Sequence, residues 1–326
     1  LDLYGREKTI LICQSLNENP HIYLRFNKNE ITGGELAKKL NMKSISGRLL
    51  PEDIYEDAIE VSSVQDISET DVYREGLVSV QDLSSQIAVK YFLEPLEGEK
   101  VLDACAAPGG KTAYIAELVK NDGEVVSVDI NKNRLEVLED SLERLNIKNV
   151  VIVEADAAEP GFLDRRMDNL INKGSECRTK HSDKKGLKNI TGYFDKILID
   201  APCSAFGTIS KNPDAKYNKV KKDIIRLSEM SYRMMVNCDK YLKVGGKLVF
   251  YTCTLSPVEN QQVISKFLGE FKDRYKIGRS SISNKLMPFS SQLKNNVSSE
   301  EETCLEIMPY YFGSEAGFVC SLLKNL

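Results

Sequence analysis

The sequence lacks the features that would place it among membrane-spanning, disulfide-stapled or zinc-bound proteins. No apolar run approaches the roughly 20 residues needed to cross a bilayer. Nothing near the N-terminus combines a charged region, an apolar core and a small-residue cleavage site. No membrane association is expected, and the expected location is cytoplasmic. Cysteines stand at 13, 105, 177, 203, 238, 253, 304 and 320, yet no two form a C-x-x-C pair, and only 2 histidines are present to complete a metal site. Neither a disulfide framework nor a metal is expected. Excess positive charge is missing as well: the net charge is -4. A protein that neutralises many phosphates usually shows an overall basic balance, so the net charge argues against indiscriminate nucleic-acid binding.

What is present is enough for a large core. With 326 residues and 42% hydrophobic composition, length favours two domains or one large domain with an appendage. From about residue 76, apolar runs alternate with helical patterns, the signature of a doubly wound, mostly parallel α/β sheet. Strands are expected at "KVLDACA" (100–106), "EVVSVDI" (124–130), "NVVIVEADA" (149–157), "FDKILIDA" (194–201) and "GKLVFYTCT" (246–254). Helices are expected at 111–120, at 133–147 and over roughly 221–243, where Ile224, Leu227, Met230, Met234 and Met235 keep helical spacing and Gly245-Gly246 closes the helix. A Met stripe of this kind is read as core. Pro257 opens a further helix, and "TCLEIMPY" with "GFVCSLLK" fits a closing antiparallel hairpin. Residues 161–192 are polar and without periodicity, and are read as a mobile insertion, as is the Ser- and Asn-rich 279–302. Residues 1–75 read as a separate small α+β unit, with "HIYLRFNKNE" and "DAIEVSS" strand-like and "GGELAKKLN" helical.

The loop after the first strand, "DACAAPGGKT" (103–112), ends in G-K-T but is not a P-loop, because Cys105 stands where the first glycine belongs. No G-x-G-x-x-G occurs either. The remaining feature is the Gly109-Gly110 turn between strand and helix, where missing Cβ atoms allow a ligand close to the backbone. The helix N-terminus beyond it suits a carboxylate as well as a phosphate. Asp129, about 20 residues on, sits where an acid meets ribose hydroxyls, and Asp156 ends the next strand, where it could meet an adenine edge. A nucleoside with a carboxylate and no phosphate describes S-adenosylmethionine, the cofactor expected here.

Two further strand ends carry thiols: Cys203 in "APCS" and Cys253 in "YTCT". A free cysteine is among the most buried residue types, so each alone is most often a small hydrophobe. Their position at the carboxyl ends of neighbouring strands, where ligands bind in open sheets, points to chemistry. A thiolate beside a methyl sulfonium suits the activation of a pyrimidine: addition at carbon 6 makes carbon 5 nucleophilic. A cysteine near its ordinary pKa of about 8.5 is mostly protonated at neutral pH, so a positive neighbour such as Lys111 or the sulfonium is expected. Downstream, "SKNPDAKYNKVKKDIIR" (210–226) concentrates basic residues, and Lys211, Lys216, Lys219, Lys221 and Lys222 are either a solvated face or phosphate contacts.

The stretches "DACAAPGGKT", "VDINKNRL", "FDKILIDAPCSAFGTISKNPD", "LKVGGKLVFYTCTLSPVEN" and "GFVCSLLK" together resemble the Sun/nucleolar-protein family of RNA cytosine-5 methyltransferases, in its bacterial 16S ribosomal RNA branch. The resemblance runs from about residue 78 to the C-terminus. It implies a Rossmann-like, S-adenosylmethionine-dependent methyltransferase domain over 76–326, preceded by an RNA-recognition-like unit. It implies Cys253 as nucleophile and Cys203 as the group assisting release. Cofactor contacts would fall on Cys105, Ala106, Ala107, Pro108, Gly109, Gly110, Lys111, Asp129, Asp156 and Asp200, with Lys111 and Asp200 also near the target base. The implied partner is ribosomal RNA, 16S by kinship, with the protein a monomer. The same resemblance implies a helical, NusB-like domain before Leu1.

Overall fold

The computed structural model describes residues 2–28, 30–43, 45–50, 55–62, 66–164, 190–281 and 304–325. Most of the expected insertion at 161–192 and of the stretch 279–302 lies outside them.

Chain order begins with a helix, α1 (Gly5–Ser15), and a small antiparallel sheet. Its strands β1 (Ile22–Phe26), β2 (Ser46–Leu49), β3 (Ala58–Ser62) and β4 (Val78–Val80) lie in the order β2-β3-β1-β4. Helix α2 (Gly33–Asn41) covers it, burying Leu36 and Leu40. It starts where the sequence supplies both halves of a capping box: Thr32 accepts from the Glu35 N–H, and Glu35 accepts from the Thr32 N–H at 3.0 Å.

The main sheet has 8 strands. Its parallel part comprises β5 (Lys100–Asp103), β6 (Glu124–Asp129), β7 (Val150–Glu154), β8 (Phe194–Asp200) and β9 (Leu242–Thr252), in the order β9-β8-β5-β6-β7. The central strands read as nearly unbroken apolar runs because helices cover both faces, and Val101, Leu102, Ile197, Leu198 and Ile199 are fully buried. Each such side chain contributes roughly 1.5–3 kcal/mol by leaving water. The covering helices include α3 (Gly110–Val119), α4 (Lys132–Arg144), α5 (Lys221–Asp239) and α6 (Gln261–Glu270). Met234 and Met235 of α5 are buried in the core, as the stripe suggests. Strand β12 (Gly317–Lys324) adds antiparallel to β9. Its other edge is shared by β10 (Tyr275–Ile277) and β11 (Cys304–Ile307). Among the described residues no helix is long and apolar enough to cross a membrane.

Two expectations are corrected. Gly245 and Gly246 do not end α5, which stops at Asp239, but lie inside β9. Gly245 has φ +77°, and a Cβ on Gly246 would come within 2.8 Å of the Asp195 carbonyl oxygen, so the pair serves an irregular stretch of the β8/β9 ladder. The second correction is a disulfide, Cys304–Cys320, where none was expected. The two residues face each other across the β11/β12 pair with Cα atoms 4.2 Å apart, a proximity created by strand register.

Arg25 joins the small sheet to the large one. Its side chain is 1% exposed and donates to Gln81 Oε1 at 2.8 Å and to both carboxylate oxygens of Glu117 on α3, with the guanidinium 4.5 Å above the Tyr114 ring. Beside it the Tyr114 hydroxyl donates to Asp57, which also pairs with Lys90. A buried guanidinium left without its carboxylate is costly. Glu117→Ala is expected to remove about 3–5 kcal/mol of stability, measured as a lower urea midpoint at unchanged m-value, and a loss below about 1 kcal/mol would show the pair to be dispensable.

Candidate active site

The parallel register sets the site. Asp200, the last residue of β8, pairs with Tyr251 of β9, so the chain just past each strand emerges on the same edge of the sheet. Cys203 and Cys253 follow, and their sulfurs meet at 3.3 Å. Loop packing keeps them there. The Gly207 N–H donates to the Cys253 carbonyl at 2.9 Å, and the Ala316 N–H donates to the Gly207 carbonyl at 3.0 Å. A Cβ on Gly207 would collide with the Ala316 carbonyl and lie 2.7 Å from that of Cys253, so only glycine allows these three segments to close.

Beneath the thiols, buried polar groups are mutually satisfied. Glu259 accepts from the Ser204 N–H at 2.6 Å and from its hydroxyl at 2.7 Å, and Ser204 and Thr254 share a hydrogen bond of 2.9 Å. Thr252 donates to Asn260, whose amide donates to the Thr254 carbonyl. Both loops are thus held by side chains from "SPVEN", which gives that stretch a structural role the sequence did not disclose.

Lys111, at the start of α3, pairs with Asp200 at 2.8 Å and lies 4.5 Å above the ring of buried Tyr251, whose hydroxyl shares a hydrogen bond with Ser84. Burial pulls the Lys111 ammonium down, but Asp200 outweighs it and the pKa is raised. The Cys253 thiol is pushed well up, first by its hydrogen bond with Cys203, then by burial and by the carboxylates of Asp200 and Glu315. In the free protein this thiol is therefore neutral; the positive surroundings expected from sequence are cancelled by Asp200.

The loop between β5 and α3 is held from below and open above. Asp103 is fully buried and accepts from the Thr112 hydroxyl at 2.7 Å; burial first, then Asp200, pushes its carboxyl up to about 7. Ala106 and Ala107 are buried, the Ala107-Pro108 bond is cis, and Pro108 at the crest is exposed. Gly109 has φ +110° and packs on Leu138, whereas a Cβ on Gly110 would meet only Gln81 Nε2, at 4.0 Å. That amide nitrogen is buried with no partner among the described residues. Cys105 is half-buried at the root of the loop, its thiol raised by burial and by Asp200. Asp129, ending β6, accepts from the N–H groups of Ala107 (3.2 Å) and Asn131 (2.9 Å), with Arg134 at 3.4 Å. Asp156, two residues past β7, caps its own turn through the Ala158 N–H at 2.8 Å. The cofactor and thiol residues singled out from sequence lie at the carboxyl ends of β5 to β9. Of the lysines, Lys211 is not a free cation: it is held between Asp82 and Glu315, at 3.1 Å from each. Gln81, Asp82 and Glu315 had no sequence signal, because they reach the site from other elements.

The model of the 16S rRNA methyltransferase RsmB/F family matches residues 90–323. The chain is 33% identical over 327 residues to the probable ribosomal RNA small subunit methyltransferase B of Bacillus subtilis, covering 99% of this chain and 64% of that protein. It is 34% identical over 264 residues to ribosomal RNA small subunit methyltransferase B of Klebsiella pneumoniae, covering 80% of this chain and 54% of the relative. It therefore spans less than two thirds of the length of these relatives. Among solved structures, a methyltransferase homolog protein from Pyrococcus horikoshii aligns with a TM-score of 0.72 at 26% identity, covering 98% of this chain and 91% of that one. NSun6 from the same organism, determined with SFG, shares the fold at a TM-score of 0.76 and 21% identity, covering 100% of this chain and 96% of that one. By the span of the family match, which covers more than half of its residues, the chain belongs to the 16S rRNA methyltransferase RsmB/F family.

Proposed function

We propose that this chain is an S-adenosylmethionine-dependent methyltransferase acting on carbon 5 of a cytosine in ribosomal RNA, 16S by kinship, with Cys253 as nucleophile and Cys203 assisting release. The observation that supports this most is the meeting of two thiols at 3.3 Å, from adjacent parallel strands, beside Lys111 and Asp200. A thiol kept only for packing needs no second thiol, and neither cysteine is a fully buried residue.

The residues present fit the cofactor. The crest at Gly110 has room for a ligand, and the unpartnered Gln81 amide beside it is a donor awaiting an acceptor such as an amino-acid carboxylate. Asp129 keeps lone pairs beyond its backbone bonds to meet ribose hydroxyls, and Asp156 lies one strand further out. When bound, the cofactor supplies an electrophilic methyl group to carbon 5. Cys253, as thiolate, adds to carbon 6 and moves an electron pair onto carbon 5. Once carbon 5 carries the methyl group, its proton passes to a basic group or water at the site, and the electron pair of that C–H bond re-forms the carbon 5–carbon 6 double bond and expels the Cys253 sulfur as thiolate, with Cys203 assisting. Lys111 and Asp200 flank this centre, placed to orient the base. A base within a duplex cannot present its ring faces, so the target is a single-stranded or flipped nucleotide.

Methyl transfer from labelled cofactor to a small-subunit rRNA transcript tests the assignment. Cys253→Ala should lose about a thousandfold or more of the rate. Cys203→Ala should accumulate a protein–RNA adduct that survives denaturation; full turnover by either variant would refute its role. The raised Cys253 pKa has its own consequence. Raising a thiol's pKa favours the protonated form, so iodoacetamide should modify Cys253 slowly at pH 7 and faster as the pH climbs above the ordinary cysteine value of about 8.5. Removing the largest cause of the shift in Cys203→Ala should move that rise to lower pH, as read by peptide mass spectrometry; an unchanged profile would show that Cys203 does not set it.

A further inference from the structure

The segment between the Cys203 loop and α5 presents apolar surface to water on an ordered frame. Tyr217 is 82% exposed, Val220 63% and Ile225 43%. Soluble proteins carry isolated exposed apolar residues routinely; here three fall within nine positions, interleaved with lysines. The backbone beneath is fixed: the Tyr217 N–H donates to the Asp214 carbonyl at 3.0 Å, Ala215 to Asn212 at 3.0 Å, and the Val220 N–H to Asp223 at 3.1 Å. An aromatic ring held out on a structured turn is suited to a flat partner.

Charge around the ring is divided. Lys211 is neutralised by Asp82 and Glu315, and the Lys216 amine goes to Asn17. Lys219, Lys221 and Lys222 pair with no carboxylate within ion-pair distance among the described residues. The patch is continuous with the thiol loops. The Asn212 N–H and amide both bond to Thr208, and Lys219 is near enough to Glu259, the acceptor for Ser204, to oppose the rise that burial gives that carboxyl.

We propose that this turn is a stacking platform for single-stranded RNA: Tyr217 carries a base flanking the target nucleotide, and Lys219, Lys221 and Lys222 hold the neighbouring phosphates. It rests on RNA being the substrate. Base–aromatic stacking tolerates any sequence because every base has a π face. The platform holds the flanking strand once the target has left its stack. An anionic lipid surface would also suit exposed Tyr and Val among lysines, but the continuity with the thiol loops favours RNA.

The chain contains 0 tryptophans, so Tyr217→Trp creates a single fluorescent reporter. Its emission should be quenched saturably by a short single-stranded RNA, and not by the matching duplex, inorganic polyphosphate or phosphatidylglycerol vesicles. Anisotropy of the same labelled RNA should show Tyr217→Ala binding about 5- to 150-fold more weakly, equivalent to about 1–3 kcal/mol. Its salt dependence should be unchanged, and Tyr217→Phe should remain near the parent. Changing Lys219, Lys221 and Lys222 together to Gln should lower the slope of log affinity against log salt by about 0.7 per lysine. RNA that binds and is methylated without quenching the indole of the Tyr217→Trp variant would overturn the platform alone. Preferential quenching by the vesicles would also overturn it, in favour of a membrane surface. RNA binding with quenching but no methyl transfer would keep the platform and remove the proposed reaction, and no RNA binding by the unsubstituted protein would sink both.

Discussion

The in-register parallel pairing of β8 with β9 is the constraint on which the site depends. Asp200 lies opposite Tyr251, and from that one pairing the loops leave the sheet side by side, bringing Cys203 and Cys253 into contact. A slip of one residue would send alternate side chains to the opposite face and separate the sulfurs. The pairing is protected on both flanks. β5 runs parallel to β8, and β12 runs antiparallel to β9 from Phe318 to Leu323, so neither thiol-bearing strand is an edge. Gly207 completes the arrangement by letting the loop after β8, the loop after β9 and the Ala316 segment pack backbone to backbone.

The small sheet contributes to the site through contacts that the chain order does not suggest. Gln81 follows β4 directly, accepts from buried Arg25 and turns its free amide toward Gly110. Asp82, the next residue, accepts from the Ser84 hydroxyl and from the Glu315 N–H and pairs with Lys211. One short segment therefore ties the N-terminal sheet, the cofactor-loop candidate and the C-terminal β12 entry together. The Arg25–Glu117 pair fixes the same junction from beneath α3, which is why the N-terminal unit is packed against the site.

The parts legible in the sequence were those coded locally. The five parallel strands announced themselves as apolar runs, and α2 as the helical stretch "GGELAKKLN". The residues of "DACAAPGGKT", Asp129, Asp156 and the two thiols could be placed at strand ends because a strand's end is visible as the end of an apolar run. What depends on three-dimensional register was not legible. Cys304 and Cys320 lie 16 residues apart with no spacing signature, and only the β11/β12 pairing makes them neighbours. Gly245-Gly246 imitates a helix stop because a glycine's sequence signal is the same for a cap and for a bulge. Lys211 belongs to a basic run, yet its charge is spent on Asp82 and Glu315, one 129 residues away in the chain.

Electrostatics at the thiol pair explain how a thiol can stay protonated beside a lysine. Taken alone, Lys111 would stabilise a thiolate; its contact with Asp200 makes the pair nearly neutral, and the Cys203 hydrogen bond and burial then set the Cys253 pKa upward. Charge on sulfur therefore has to come from a change in these surroundings, and a base entering between the thiols and Lys111 would make such a change by parting the sulfurs and competing for Asp200. A bound sulfonium adds positive charge at the same edge. Under the proposed function both changes would lower the cost of the thiolate while leaving the free protein's thiol protonated, and a protonated thiol is a poor target for adventitious electrophiles.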